Sequence, residues 1–148
     1  MSPFKTLIEL GLMSWSTAVL GFRRGWVERN EIFDYAISQL ASDDNTENMD
    51  VAVIAGGEYL SNEELLGLML KQAGTSDDIS GLDKWRLAFL LNVEMSGGSD
   101  EDKVSRLQEI YAGFDYPEDM TSCSIYSKGN ESPLVAMHNL VKALRGRF

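Results

Sequence analysis

Cysteine and histidine are scarce in this chain of 148 residues, and each shortage excludes something. The single cysteine, Cys123, excludes a disulfide within the chain, and one histidine leaves a single imidazole for catalysis or metal binding. No apolar run approaches ~18 residues, so no segment is expected to span a membrane. The first residues lack a basic segment followed by an apolar run, so we expect no secretory leader. A reducing cytoplasm is the predicted location.

Basic residues are also few, and their shortage is local. The chain has 23 acidic and 13 basic residues, and its net charge is −10. Between Asp43 and Asp83, ten carboxylates face one base, Lys71, whereas acids and bases nearly cancel elsewhere. Such a field repels nucleic acid and anionic lipid and attracts a basic protein. The same acidity also serves solubility, so it does not by itself define a function.

Most of the apolar residues recur at helical spacing, behind residues that commonly begin helices. The predicted starts are Pro3, Ser14, Asn30, Ser61, Ser80, Ser99 and Ser132. Ser61 and Glu64 have the spacing of a capping box. The run "WRLAFLL" is apolar almost all round, which is typical of a central helix. Residues 48–60 fit either a strand or a buried helix, and we interpret them as a short helix.

These patterns predict an all-α protein. Apolar residues make up 44% and charged residues 24% of the chain, as in ordinary globular proteins. We expect one domain covering residues 1–148, built as an orthogonal bundle of about seven to eight short helices. One extended strap or minor hairpin is predicted near residues 121–127, where "SCSIYS" alternates as a strand does.

Catalytic and metal-binding patterns are not found in the sequence. His138 lies on the apolar stripe of the last predicted helix, so we interpret it as a core residue. Neither a nucleophile elbow nor a cysteine-protease signature surrounds Cys123. The acidic runs "DDNTEN" and "SDEDK" lack the glycine and glutamate that a calcium loop needs at its sixth and twelfth positions. We therefore predict no catalytic residue, no metal and no cofactor.

The stretch "YAGFDYPEDMTSCSIYS", Tyr111 to Ser127, combines aromatic rings, a proline and carboxylates where a helix should end. We expect Tyr111 and Phe114 to pack inward, and Tyr116 and Tyr126 to be partly exposed. Aromatic side chains beside fixed charges are common at recognition surfaces. The stretch therefore indicates an interaction surface.

The sequence also resembles a known family through three segments. These are "GLMSWSTAVLGFRRGW", "DKWRLAFLLNVE" and "LQEIYAGFDYPEDMTSCSIY". The family consists of small bacterial proteins of unknown biochemistry, and it includes proposed immunity proteins of polymorphic toxins. The resemblance implies a role without catalysis: binding the C-terminal domain of a toxin delivered by contact-dependent or type VII secretion.

Charge and resemblance together predict a basic toxin domain as the partner. A nuclease is the expected toxin, because its phosphate-binding cleft must be basic. The residues expected to contact it are Asp43, Asp44, Glu47, Asp50, Asp77, Asp78, Asp115, Tyr116, Glu118 and Asp119. Two alternatives stay open: a small acidic adaptor or regulatory module, and a hydrolase using His138.

Overall fold

The computed structural model describes residues 2–41, 49–74, 80–126 and 131–148, and the regular secondary structure within these ranges is helical, as predicted. Eight α-helices and one 3-10 helix, Glu118–Cys123, lie within the described ranges, with no strand among them. The α-helices are α1 (Pro3–Glu9), α2 (Trp15–Arg23), α3 (Arg29–Ala41), α4 (Met49–Ala55), α5 (Asn62–Ala73), α6 (Gly81–Met95), α7 (Asp100–Gly113) and α8 (Pro133–Arg145). The segment that fitted either a strand or a helix is therefore helical from Met49 to Ala55.

Serine side chains begin four of these helices in the way that the sequence predicts. Ser14, Ser61, Ser99 and Ser132 each accept a hydrogen bond from a backbone N–H of the first helical turn. At Ser61 the capping box is complete, because Glu64 returns the interaction to the backbone N–H of Ser61. Local sequence alone therefore fixes these four helix starts.

The chain divides into two compact units. One consists of Met1–Glu9 and Asp83–Phe148, and the other of Leu10–Leu82. We call them the terminal unit and the central unit. Within the central unit, α3 packs on α4 and α2 packs on α5. Whether the chain forms a single domain stays a prediction.

The central unit has its own apolar core. The buried side chains include Val19 of α2, Ile32 of α3, Ile54 of α4 and Leu65 of α5. The rings of Trp15 and Tyr35 meet edge to face, with centroids 4.8 Å apart. Burial raises the pKa of the Tyr35 hydroxyl.

The terminal unit is built around α6. Within the run "WRLAFLL", Trp85, Leu87, Ala88 and Leu90 are fully buried, as expected for a central helix. Trp85 lies 6.4 Å from Phe4 of α1, measured between ring centroids. The Thr6 hydroxyl of α1 donates to the Asn92 side chain over 2.7 Å. Both ends of α6 are therefore tied to α1 by specific contacts.

A charged side chain, Arg86, is buried in this same apolar run. Its side chain is 5% exposed, and both of its terminal nitrogens bind the Asp119 carboxylate of the 3-10 helix. Nη2 also contacts Asp83, 3.0 Å away. Arg147 pairs with Asp83 over 2.8 Å and lies 3.8 Å from Asp119. Two arginines and two aspartates thus form a balanced cluster, which we call the Arg86 cluster.

Three sequence-based predictions need correction. Helix α3 begins at Arg29, so Asn30 lies inside the helix and does not cap it. The strap or minor hairpin predicted near residues 121–127 is a 3-10 helix from Glu118 to Cys123, followed by an extended residue at Ser124; Ser127 lies outside the described residues. His138 is not a core residue, because its side chain is 58% exposed.

The Arg86 cluster gives a prediction about stability. Replacing Arg86 by Met should lower the free energy of unfolding by about 2–3 kcal/mol, because two partly buried carboxylates lose their shared partner. The matched control is Arg147→Met, which should cost less than about 1 kcal/mol, because Arg147 is about half exposed. Urea denaturation measures both values. Equal losses in the two variants would contradict the assignment of Arg86 as the central member.

Candidate partner-binding surface

The ten residues predicted to bind a partner fall into three groups. Asp50 lies in the first turn of α4 in the central unit, where a negative charge favours the helix. Asp115, Tyr116, Glu118 and Asp119 follow one another in the terminal unit. The others lie outside the described residues: Asp43, Asp44, Glu47, Asp77 and Asp78. The second group is therefore the contiguous part of the candidate surface within the described residues.

Helix α7 ends in a Schellman motif that places Tyr116. The backbone N–H of Tyr116 donates to the carbonyl of Tyr111 over 2.9 Å, and that of Asp115 donates to the carbonyl of Ala112 over 3.1 Å. These two bonds define the motif, in which the residue after the cap adopts the left-handed conformation. The rings of Tyr111 and Tyr116 meet edge to face at 5.0 Å, which supplies the apolar contact that usually accompanies the motif.

The backbone of this turn is strained. Asp115 has a φ of 61° and Tyr116 a φ of 54°, and among the described residues no others besides glycine have a positive φ. Left-handed backbone costs about 1–2 kcal/mol at residues with a Cβ atom, and glycine is the usual solution. An acid at a helix C-terminus is also opposed by the helix dipole. The sequence thus keeps an aspartate where stability favours glycine.

Pro117 and the 3-10 helix fix the far side of the turn. Pro117 precedes the 3-10 helix, and Glu118 and Asp119 lie in its first turn. The Asp119 carboxylate is held by Arg86, so its charge is largely compensated within the protein. Glu118 is exposed and its carboxylate has no ion pair among the described residues. Of the two neighbouring acids, one anchors the segment and the other is available to a partner.

Gln108 of α7 holds the segment that follows. Its amide nitrogen donates to the carbonyl of Cys123 over 2.8 Å, and its amide oxygen accepts from the backbone N–H of Ile125 over 3.3 Å. Gln108 and Tyr111 are three residues apart, so they are neighbours on one face of α7. The segments carrying Tyr116 and Ile125 therefore lie about one helical turn apart along the same face.

Three large side chains on these segments are exposed: Tyr116 by 64%, Ile125 by 54% and Tyr126 by 86%. Asp115 is exposed as well, and its carboxylate has no ion pair within the described ranges. We call Asp115, Tyr116, Glu118, Ile125 and Tyr126 the Tyr116 patch. Exposed rings beside uncompensated carboxylates suit a partner that presents arginine or lysine, because such cations bind both carboxylates and aromatic faces.

The thiol next to the patch is not an activated nucleophile. Cys123 is 1% exposed. Burial raises the pKa of its thiol to about 11; the charges of Asp119 and Glu131 also raise it, and Arg86 acts in the opposite direction. Because the thiolate is the reactive form, Cys123 is inert at neutral pH and serves as a small apolar core residue.

The imidazole has a carboxylate partner that the sequence did not reveal. Nδ1 of His138 lies 3.1 Å from Oε1 of Glu94, and because an ionised carboxylate only accepts, the imidazole N–H is the donor. Glu94, His138, Lys103, Leu134 and Met137 line a cavity of about 330 Å³. In the described part of the chain, no three residues among histidine, cysteine, aspartate and glutamate cluster in a way that could hold a metal ion.

Two residues that position the patch were missed in the sequence. Arg86 had a signal, because a lone arginine inside an apolar helical run must find a buried partner. For Gln108 the sequence carries no such signal, because its role depends on a contact with the backbone of Cys123, which comes close only in the folded protein. No helix within the described ranges is long and apolar enough to cross a membrane.

Comparison with known proteins adds one finding. A family model described as "Uncharacterized protein conserved in bacteria (DUF2247)" matches residues 4–145. The match covers almost the whole chain, so the protein belongs to this family. Comparison with curated proteins and with solved structures gives no match. The broader part of the resemblance, a bacterial family of unknown biochemistry, is confirmed.

The strained turn gives the second prediction. Replacing Asp115 by Gly should raise the free energy of unfolding by about 0.5–1 kcal/mol, because relief of left-handed strain and of the unfavourable charge exceeds the added freedom of the unfolded chain. The control Asp115→Ala should be less stable than Asp115→Gly, since alanine keeps the Cβ atom in a left-handed position. Thermal and urea unfolding test the order, and a glycine variant no more stable than the alanine variant would contradict it.

Proposed function

We propose that this member of the family is an immunity protein, which binds the C-terminal domain of a toxin and neutralises it. The toxin domain is basic, and a nuclease is the expected kind. Binding uses the acidic residues concentrated between Asp43 and Asp83 together with the Tyr116 patch. The protein acts in the cytoplasm of the producing cell or its siblings, where an incoming toxin would meet its target.

The observation that carries the proposal is the turn at Asp115 and Tyr116. Sequences usually break rules of local stability at functional sites, where a gain elsewhere offsets the loss. Here two consecutive left-handed residues and an acid at a helix C-terminus present one exposed ring and one free carboxylate. A turn needed only to end α7 would be more stable with glycine. A binding role accounts for the aspartate.

The distribution of charge supports the same conclusion. The acids between Asp43 and Asp83 outnumber the bases in that segment by nine, so one part of the chain holds almost the whole net charge. A nuclease cleft must be basic to hold phosphates. An acidic protein can occupy such a cleft or its rim in place of the nucleic acid. Long-range attraction also speeds association, which an inhibitor needs if it is to act before damage begins.

The third prediction tests this electrostatic contribution. Asp43, Asp44, Glu47, Asp50, Asp77 and Asp78 are replaced together by their amides. The association rate constant for the toxin domain encoded by the adjacent gene should fall about tenfold or more at low salt, and its salt dependence should flatten. Stopped-flow fluorescence over a series of salt concentrations measures both quantities.

A matched control removes the same number of charges elsewhere. Its six replaced acids are Glu9, Asp34, Asp100, Glu101, Asp102 and Glu109. If the location of charge matters, this variant should associate less than about threefold more slowly than the wild type. Equal slowing of association in both variants would show that only the net charge matters and not its location. An unchanged association rate in the first variant would contradict the proposal.

The alternative from another class is a hydrolase, and one observation favours it. Glu94 orients His138 in the way that a carboxylate orients a general base, and a cavity lies beside the pair. The Cys123 thiol is not an activated nucleophile for such an enzyme, because its pKa is raised.

The fourth prediction separates the two functions. Replacing His138 by Gln should leave protection of toxin-expressing cells unchanged, because the exposed side chain contributes little to stability and the proposed surface does not include it. Survival of cells that express the toxin with each variant is the measurement. Loss of protection in a folded His138→Gln variant would favour the hydrolase.

A further inference from the structure

The central unit contains a groove that shares two acids, Glu58 and Glu63, with the acidic segment between Asp43 and Asp83. Its volume is about 860 Å³, and it lies among the end of α2, the start of α3 and the start of α5. Its apolar lining includes Phe33, which is buried, together with Phe22 and Leu66, which are half-buried. This volume is within the usual range for ligand sites. The groove is therefore large enough for several side chains of a bound segment.

Arg29 holds one wall of the groove in place. Its Nη1 donates to the Asn62 side chain over 2.7 Å, and Nη2 donates to the carbonyls of Gly57 and Glu58, each over 3.3 Å, and to that of Leu60. The guanidinium also lies 5.6 Å from the centre of the Phe33 ring. One side chain of α3 thus fixes the connection between α4 and α5.

Close packing at Gly57 fixes the same connection. A Cβ atom at this position would lie 2.7 Å from a methyl carbon of Leu60 and 3.0 Å from the carbonyl oxygen of Ile54, so a larger residue would require Leu60 and the local backbone to shift. The residues after it, Glu58 and Tyr59, are exposed, and the Tyr59 side chain is 78% exposed. The connection between α4 and α5 therefore presents a carboxylate and a ring.

The charges of the groove favour a cation. Three exposed carboxylates line it: Glu28, Glu58 and Glu63. They make no side-chain ion pair with any described residue. Two guanidiniums, those of Arg23 and Arg29, also line the groove. Arg29 keeps its positive charge, but its N–H donors are engaged with protein oxygens, and Arg23 is the exposed base among the lining residues. The more buried lining is apolar, and the exposed rim is mainly acidic.

We propose that this groove binds an extended protein segment in which lysine or arginine alternates with apolar side chains. The apolar side chains rest on Phe22, Phe33 and Leu66, and the basic ones reach the three carboxylates. In an extended segment neighbouring side chains point in opposite directions. The apolar side chains can therefore face the base of the groove while the long basic ones reach its charged rim. The inference rests on the proposed function only in assigning this segment to the toxin domain.

The fifth prediction tests the groove directly, with the full chain labelled with ¹⁵N. The probe is a capped five-residue peptide of alternating lysine and leucine. It should shift the amide resonances of the groove saturably, and the variant Glu28→Gln/Glu58→Gln/Glu63→Gln should bind it about tenfold more weakly, because three charge contacts are lost. A lysine–alanine peptide should also bind severalfold more weakly than the leucine peptide, because it buries less apolar surface.

The control variant Glu9→Gln/Glu101→Gln/Glu109→Gln removes three exposed charges at other places and should change the affinity less than twofold. Equal weakening in both variants would show general attraction to an acidic protein and would overturn the inference. Saturable displacement of the peptide by spermidine, with equal or higher affinity, would make the groove a polyamine site and would also overturn it. If the triple variant fails to fold, Glu58→Gln alone gives the same comparison, with a smaller expected loss.

The groove and the immunity function can fail separately. Peptide binding in the groove without any binding of the toxin domain would leave the groove inference standing and refute the proposed function. If the wild type and the groove variant bind the toxin domain with equal affinity, the toxin binds elsewhere. That result would refute the proposal that the groove-binding segment belongs to the toxin domain. A loss of affinity of about tenfold for both peptide and toxin would support both proposals.

Discussion

The pairing of buried Arg86 with Asp119 is the interaction on which the terminal unit depends most. A guanidinium in an apolar helix is costly to desolvate unless every donor finds an acceptor, so the fold must bring carboxylates to it. Asp83 comes from the first turn of the same helix, but Asp119 comes from the 3-10 helix. Satisfying Arg86 therefore fixes the 3-10 helix against α6. The residues just before that helix, including the exposed Tyr116, are positioned as a consequence.

The central unit uses an arginine in a different way. Arg29 is matched by an amide oxygen and three backbone carbonyls, and no carboxylate of the described residues contributes to its contacts. Carbonyl acceptors satisfy its donors without neutralising an acid, so Glu28, Glu58 and Glu63 keep their charges for the rim of the groove. In the Arg86 cluster, by contrast, Asp83 and Asp119 are paired with arginines within the protein. The type of acceptor that binds each arginine therefore determines which carboxylates remain unpaired at the surface.

The sequence predicted those parts of the fold that depend on neighbours along the chain. Serine caps and the capping box at Ser61 were correct, because a cap joins residues two or three positions apart. The 3-10 helix was missed, because its anchor is the contact of Asp119 with Arg86, 33 residues earlier in the chain. His138 was misplaced for a geometric reason. At 100° per residue, the buried face of α8 is centred near Met137 and Leu144. Leu134, an apolar residue four positions before His138, lies at the edge of that face.

The same distinction between local and distant contacts applies to the candidate surface. Exposure of Tyr116 and Tyr126 was predicted from a proline and a run of acids, and it is confirmed. The sequence could not show which acids stay uncompensated. Asp119 and Glu118 are adjacent and of like charge, yet Asp119 is paired with Arg86, whereas Glu118 has no ion pair in the part of the chain that the structure describes. Both acids contribute equally to the net charge, whereas a bound partner interacts chiefly with the unpaired one, Glu118. Attraction at a distance follows the total charge of −10, but contact energy follows only the carboxylates that folding leaves unpaired.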